Sequence, residues 1–286
     1  VSQSVEDIEV ELVLEAISRR YHYDFSGYAA PSMVRRLRHA QQHFGCRSLS
    51  ALQERILHEP SIVPDLLNFL TVQVSEMFRD PSYFRALREL VVPHLRTYPS
   101  LKVWVAGCAA GEELYSLAIL FREEGLDSKT IFYATDINPH ALRKAEAGIY
   151  ESERIPLFTD NHRRSGGRTS LSDYYTAAYG AAVFDRSLRS RAVFAEHNLV
   201  SDAVFAEVHL VSCRNVLIYF DRNLQERAIG LFKTALVRGG FLGLGSRESL
   251  HFSSHASDFT GFVEQERIYR KTTHHEHAES AGHASA

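Results

Sequence analysis

Cysteine is scarce in this chain. Cys46, Cys108 and Cys213 stand far apart, and none falls in a CxxC or similar spacing. That removes the usual sequence case for a structural zinc or a disulfide framework, and reduced thiols in a cytosolic protein are the simple reading. An excess of charge of one sign is also missing. The 32 Lys and Arg are nearly matched by 35 Asp and Glu, for a net charge of −3, so no global basic surplus points to nucleic acid. No apolar run reaches the roughly 18–20 residues needed to cross a bilayer. Glu6, Asp7, Glu9 and Glu11 crowd the region where a secretory leader would be basic and then apolar.

What remains is the composition of an ordinary soluble globular protein, 45% apolar and 23% charged over 286 residues. Its pattern changes along the chain. Residues 1–85 read as a helical domain: apolar residues recur at helical spacing over Val5–Tyr21, Ser32–Phe44, Ser48–Leu57 and Ser61–Val74, with Ser48 or Ser50 as an N-cap. Residues 86–271 alternate strands with helices. Strands are expected at Leu101–Ala106, Thr130–Thr135, Arg191–Glu196, Val208–Ser212 and Phe241–Leu244, and helices at Glu112–Glu124, Asn138–Ala147 and Leu224–Val237, the last ended by Gly239-Gly240. Phe259–Gln265 and Arg267–Arg270 could close the sheet as a hairpin. Alternation of this kind implies a largely parallel α/β sheet, covered on both faces, with its ligand beyond the carboxyl ends of the strands. Residues 151–190 interrupt the alternation with a Ser-, Gly- and Tyr-rich stretch, read as an insertion of short strands or a loop. The polar tail at 272–286 reads as disordered. His274, His275 and His277 are its one conceivable metal set, and no metal is assigned.

The chemistry concentrates at strand ends. Val103-Trp104-Val105-Ala106-Gly107-Cys108-Ala109-Ala110-Gly111-Glu112-Glu113 runs an apolar strand into a glycine turn and then two carboxylates at a helix start. Gly107 and Gly111 allow positive φ and close approach to a ligand. A helix N-terminus ordinarily welcomes an anion; Glu113 beside it favours a ligand carrying an amine or another cation. S-adenosylmethionine meets that demand better than a dinucleotide, and GCAAG is not GxGxxG. Asp136, at the end of the second strand, is placed to accept ribose hydroxyls, or else to cap the following helix. Cys213-Arg214-Asn215 interrupts an apolar run at another strand end. Burying such groups without partners costs about 1–3 kcal/mol each, so they face a cleft or form a structural network, with Tyr219 in reach of the same place. Arg79, before Asp80-Pro81, points into that cleft or into solvent.

Together these residues resemble the CheR-type chemoreceptor glutamate methyltransferases over about 20–271. FRD at 78–80, AGCAAGEELYS at 106–116, ATDIN at 134–138, KAEAGIY at 144–150, HNL at 197–199 and SCRNVLIYFD at 212–221 occur in the family's order. The resemblance implies a class I, Rossmann-like methyltransferase sheet, an N-terminal helical domain and a small inserted β-subdomain where 151–190 stands. It implies S-adenosylmethionine as cofactor, S-adenosylhomocysteine as product, and a glutamate on the cytoplasmic part of a receptor as acceptor, with no nucleic acid and no membrane insertion. By the resemblance Glu113 binds the cofactor's amine and Asp136 its ribose. Asn198 and Leu199 fall on the adenine side, Cys213, Arg214 and Asn215 at the strand end, and Gln73 and Ser75 where the family often has Asn and Thr. Arg79 and Tyr219 match its active-site arginine and tyrosine. Met77 and Leu114 depart from its usual Phe and Pro. The basic helix face of Arg35, Arg36 and Arg38 is a candidate dock for an acidic receptor bundle. A cofactor-binding regulatory module, or transfer to another carboxylate, would use the same pocket.

Overall fold

The computed structural model describes residues 4–272; the tail and its histidines lie outside the described residues. Four helices open the chain: α1 (Val5–Tyr21), α2 (Ala30–His43), α3 (Leu49–His58) and α4 (Val63–Leu70). Ser4 and Asp7 form a capping box on α1, and Ser48 caps α3 by accepting from the Ala51 N–H. Ser50 instead hydrogen-bonds Glu9 of α1, tying the two helices together. Val13, Ile17, Met33, Leu37, Leu52, Ile56, Leu66 and Leu70 bury a core of their own.

The helical spacing expected through Val74 stops at Leu70. Thr71 turns to extended backbone (φ −103°, ψ 158°), while its amide and hydroxyl both bond the Leu67 carbonyl. Residues 71–76 then run without regular structure. Met77, Phe78, Tyr83, Phe84, Leu87 and Val91 pack into the core of the sheet. The two cores therefore divide near Thr71 rather than at residue 85. Helix α5 (Pro81–Ala86) passes through a π-helical turn (Leu87–Val91) into α6 (Val92–Leu95).

The main sheet comprises β1 (Leu101–Ala106), β2 (Thr130–Asp136), β6 (Ala192–Glu196), β7 (Val208–Cys213), β8 (Leu236–Leu244), β9 (Phe259–Val263) and β10 (Ile268–Lys271). Its spatial order is β6-β2-β1-β7-β8-β10-β9. The first five strands pair in parallel, and β10 pairs antiparallel with β8 and β9. Helices α7 (Glu112–Glu123), α8 (Pro139–Ala147) and α10 (Arg222–Ala235) make the crossovers. Strand order reverses between β1 and β7, and the crevice beyond such a reversal is where open α/β sheets bind ligands. The helix expected through Val237 ends at Ala235. Gly239-Gly240 lies inside β8 rather than at a helix end: Gly239 has φ +71° and the β7–β8 register shifts there, a bulge that the glycine conformation permits.

The insertion forms a second, antiparallel sheet of β3 (Ile149–Glu151), β5 (Ala181–Phe184) and β4 (Tyr175–Ala178), in that order. Between β3 and β4 stands a helix, α9 (Ile155–Arg164), which the composition of the segment did not suggest. A buried charge network joins this unit to the main sheet. Glu123 at the end of α7 bonds Arg88 (2.6 Å) and His162 (3.0 Å), and Glu124 bonds Arg88 (2.8 Å) and Arg168 (2.8 Å).

Candidate functional site

A cleft with about 890 Å³ of empty space opens over the carboxyl ends of β1, β2 and β7. Its floor is the glycine turn. Gly107 has φ +71°, and a Cβ there would stand 2.5 Å from Val216 Cγ2; Gly111 has φ +92°, and a Cβ would stand 2.8 Å from Ala145 Cβ. Both positions need glycine for conformation and for space. Between them Ala109 holds φ +48°. Its N–H donates to Asp136 Oδ2 (2.9 Å), while Asn138 N–H donates to Oδ1 (2.9 Å). Asp136 thus joins the turn to the end of β2 and leaves the helix cap to Asn138, whose Oδ1 accepts from His140 and Ala141. Burial pushes the Asp136 carboxyl up; backbone N–H groups from Asn138, Ala109 and Ile137 offset part of that rise. A carboxylate has about four acceptor positions, so room remains for a ligand hydroxyl.

Glu113 projects from the first turn of α7 into the cleft. Its Oε1 accepts from Ser212 Oγ (2.6 Å) and its Oε2 from Arg214 Nη1 (3.2 Å). Arg214 is a cross-tie. Its Nη2 donates to Asp80 Oδ2 (2.7 Å) and to the Arg79 carbonyl (3.0 Å), and its guanidinium lies 4.1 Å from the centre of the Tyr83 ring. Tyr83 in turn hydrogen-bonds Ser212 (2.9 Å). Two carboxylates, a carbonyl and an aromatic face offset most of the cost of burying this arginine, whose Nε alone has no hydrogen-bond partner among the described residues.

The opposite wall comes from the helical layer and the segment after it. Tyr28, Arg36, Thr71, Gln73, Val74, Ser75 and Arg79 line it. Phe78 and Asp80 hold φ +52° and +55°, strained conformations for residues with a side chain. They flank Arg79 and aim it at the cleft, where no described carboxylate or carbonyl engages its guanidinium. Tyr219 sits on a 3-10 turn (Leu217–Tyr219); its carbonyl accepts from Ala29 N–H (3.0 Å), and the Arg36 guanidinium lies 5.0 Å from its ring centre. Farther along, Asn198 Oδ1 accepts from Val200 N–H (2.9 Å), while Asn198 Nδ2 and Gln73 Oε1 are buried without a hydrogen-bond partner among the described residues.

Of the residues singled out in the sequence, Gln73, Ser75, Arg79, Gly107, Glu113, Asp136, Asn198, Leu199, Arg214, Asn215 and Tyr219 all line this one cleft. Cys213 does not. It is fully buried among Trp104, Val211 and Phe232, because alternation along β7 turns it away when Ser212 faces Glu113. Arg36 does not belong to the exposed basic face with Arg35 and Arg38. Met33, Arg36, Leu37 and Ala40 are the buried positions of α2, at helical spacing, and Arg36 Nη1 bonds the Leu70 carbonyl. Arg38 is exposed but engaged bidentately by Glu6. Met77 and Leu114 are fully buried and leave the cleft lining untouched. Tyr28 lines the cleft without a sequence signal, since a lone aromatic in a helical pattern has no spacing that marks it, and His197 lines it as the first residue of the HNL block, of which only Asn198 and Leu199 are expected at the cofactor.

Residues 73–266 match the family described as CheR methyltransferase, SAM binding domain, and residues 8–71 match its all-alpha domain. The chain belongs to the CheR methyltransferase family. Cher3 of Pseudomonas putida is 54% identical over 266 residues, covering 93% of this chain and 97% of that protein. A chemotaxis protein methyltransferase of Listeria innocua is 30% identical, covering 66% of this chain and 70% of that protein. Chemotaxis protein methyltransferase 1 of Pseudomonas aeruginosa is 29% identical, covering 76% and 81%.

S-adenosylmethionine is the cofactor of this CheR-family chain, and the cleft's chemistry fits it. The cleft offers carboxylates at two strand ends, a floor that a single Cβ would fill, and buried polar atoms on Gln73 and Asn198 still without partners. Among the described residues no helix is long and apolar enough to cross a membrane.

Proposed function

We propose that this chain methylates glutamate side chains on the cytoplasmic part of a chemoreceptor-like protein, giving glutamate methyl esters. The cofactor supplies an electrophilic methyl group on a sulfonium. Glu113 would hold its amino group, Asp136 its ribose, Asn198 and Leu199 its adenine, with Gly107, Gln73, Ser75, Arg214 and Asn215 completing the cradle.

The observation that carries the acceptor's identity is Arg79. It is a guanidinium held in the cleft between two strained residues, with no carboxylate among the described residues paired to it. An incoming carboxylate is the complementary group. A glutamate with a reference pKa of about 4.3 is already ionised at neutral pH, so no general base is needed. A tight bidentate pair would blunt the nucleophile; Arg79 therefore orients it through a single contact, with Tyr219 on the other side. Alignment is the main contribution of the protein. The exposed Arg35 would meet the acidic face of the receptor, with Arg38 joining it only on release from Glu6.

The test is transfer of labelled methyl from S-adenosylmethionine to receptor fragments, read as methanol released by alkali. Arg79→Ala is expected to lower transfer by about 100-fold, the scale of a misplaced reactant, while S-adenosylhomocysteine binding stays within several-fold. Equal loss of both would make Arg79 a builder of the cofactor pocket. Binding without transfer to any receptor would favour another carboxylate acceptor or a regulatory module.

A further inference from the structure

We infer that Glu248 is a positioning residue for methyl transfer, acting through the turn that carries Asn215 and Tyr219. It stands in the loop after β8, outside every motif that marks the cleft, and it is 4% exposed. Its carboxylate is a hub for backbone donors. Oε2 accepts from Gly245 N–H (2.6 Å) and Asn215 N–H (3.0 Å), and Oε1 accepts from Ile218 N–H (3.3 Å). Two of these three donors belong to the turn between Arg214 and Tyr219.

The turn needs such a hub. Asn215 holds φ +60°, a left-handed conformation, and it lines the cleft. Amides in a tight turn have no ladder partner, and a buried donor left open is costly. Packing leaves no slack around it, since a Cβ on Gly245 would come within 2.8 Å of both the Asn215 nitrogen and Glu248 Oε2. Arg214 is held separately by Asp80, Glu113 and Tyr83. Glu248 therefore governs the downstream half of the turn, the half that ends in Tyr219. The cradle contacts at Glu113, Asp136 and Arg214 have partners of their own, and of the cradle Glu248 holds only the Asn215 backbone.

This inference rests on Tyr219 facing the acceptor, as proposed above. Glu248→Gln keeps size and shape but has only one acceptor oxygen. In either orientation its amide nitrogen meets a backbone N–H. Two measurements on the full chain decide the matter. Hydrogen exchange is expected to quicken at residues 215–218 and 245 in the variant. Methyl transfer is expected to fall about 10- to 100-fold, as for reacting groups displaced by about an ångström, with S-adenosylhomocysteine affinity held within several-fold and the melting transition still cooperative. Glu248→Asp, which keeps both acceptor oxygens, is expected to recover part of the transfer. Unchanged exchange, or parallel loss of transfer, cofactor affinity and thermal stability, would overturn the inference. The exchange measurement reads Glu248 even if the unmodified protein methylates no receptor fragment, a result that would count against the proposed acceptor instead.

Discussion

The two walls of the cleft are built on opposite terms. On the sheet side every charged group is engaged: Glu113 by Ser212 and Arg214, Asp136 by the amides of Ala109 and Asn138, Arg214 by Asp80 and Glu113. On the side of the helical layer, the Arg79 guanidinium and the carbonyl oxygen of Gln73 have no partner among the described residues, whereas the open groups of the sheet side are single nitrogens (Asn198 Nδ2, His197 Nδ1 and Arg214 Nε) of side chains otherwise held. The difference separates two jobs. A wall whose groups are locked by neighbours pre-organises a site for a ligand of fixed shape. A wall with unspent donors and acceptors is completed by what binds, and costs little to rearrange. The helical layer is nevertheless stitched to the sheet: Gly27 and Ala29 exchange backbone hydrogen bonds with Asp221 and Tyr219, and Tyr28 bridges Phe220.

The largest predicted effect strikes the locked side, at the far end of α7. Burial alone would raise the Glu123 carboxyl, but hydrogen bonds from His162 and Arg88 outweigh it and hold it at about 2. A depressed carboxyl stabilises the fold above its unfolded value, and that stability is lost as pH falls from 4.5 toward about 2. Acid unfolding followed by circular dichroism should show this loss. Glu123→Gln should remove most of it and destabilise the protein by about 3 kcal/mol at neutral pH, because charge-assisted hydrogen bonds to Arg88 and His162 are weakened and Arg88 keeps only Glu124 as a carboxylate partner. A variant as stable as the parent at pH 7 would show that the sheet side is not held by this network.

Next comes the floor. Gly107→Ala forces a Cβ against Val216 at positive φ, and S-adenosylhomocysteine affinity by calorimetry should fall about 100-fold, equivalent to about 2–3 kcal/mol. Set beside Arg79→Ala, which spares the cofactor and lowers transfer, it gives the division of labour in two variants. If both variants lost cofactor and transfer alike, the walls would not be separable.

The smallest effect lies on the outer surface of α2. Arg35→Glu should raise KM for a receptor fragment several-fold, consistent with about 0.5–1 kcal/mol for an exposed charge, and leave cofactor affinity unchanged. Higher salt should shrink the difference. An unchanged KM would remove α2 from the docking surface.

Much of this was legible before any coordinates. Strand β1, the start of α7, Asp136 at the end of β2 and the closing hairpin follow from apolar periodicity punctuated by Gly, Asn-Pro and paired acids, which are local signals. Arg36 could have been read correctly too: it lies three residues after Met33 and one before Leu37, in the buried stripe, although a run of arginines suggests a solvated face. Glu248 could not. Its partners Asn215 and Ile218 lie some thirty residues upstream, and nothing in Arg247-Glu248-Ser249 distinguishes a backbone hub from a surface acid.

The chain's own sequence determined its elements, the glycines that its turn requires and the residue types at each strand end, because those depend on short-range sterics and hydrogen bonding. Tertiary structure alone decided which of them meet. It put Ser212 rather than Cys213 against Glu113, sent Arg36 inward over Tyr219, ended α4 at Leu70 so that Thr71–Ser75 could wall the cleft, and left Arg79 without a carboxylate. Each of those outcomes depends on a neighbour distant in sequence, and only packing brings such neighbours within bonding range.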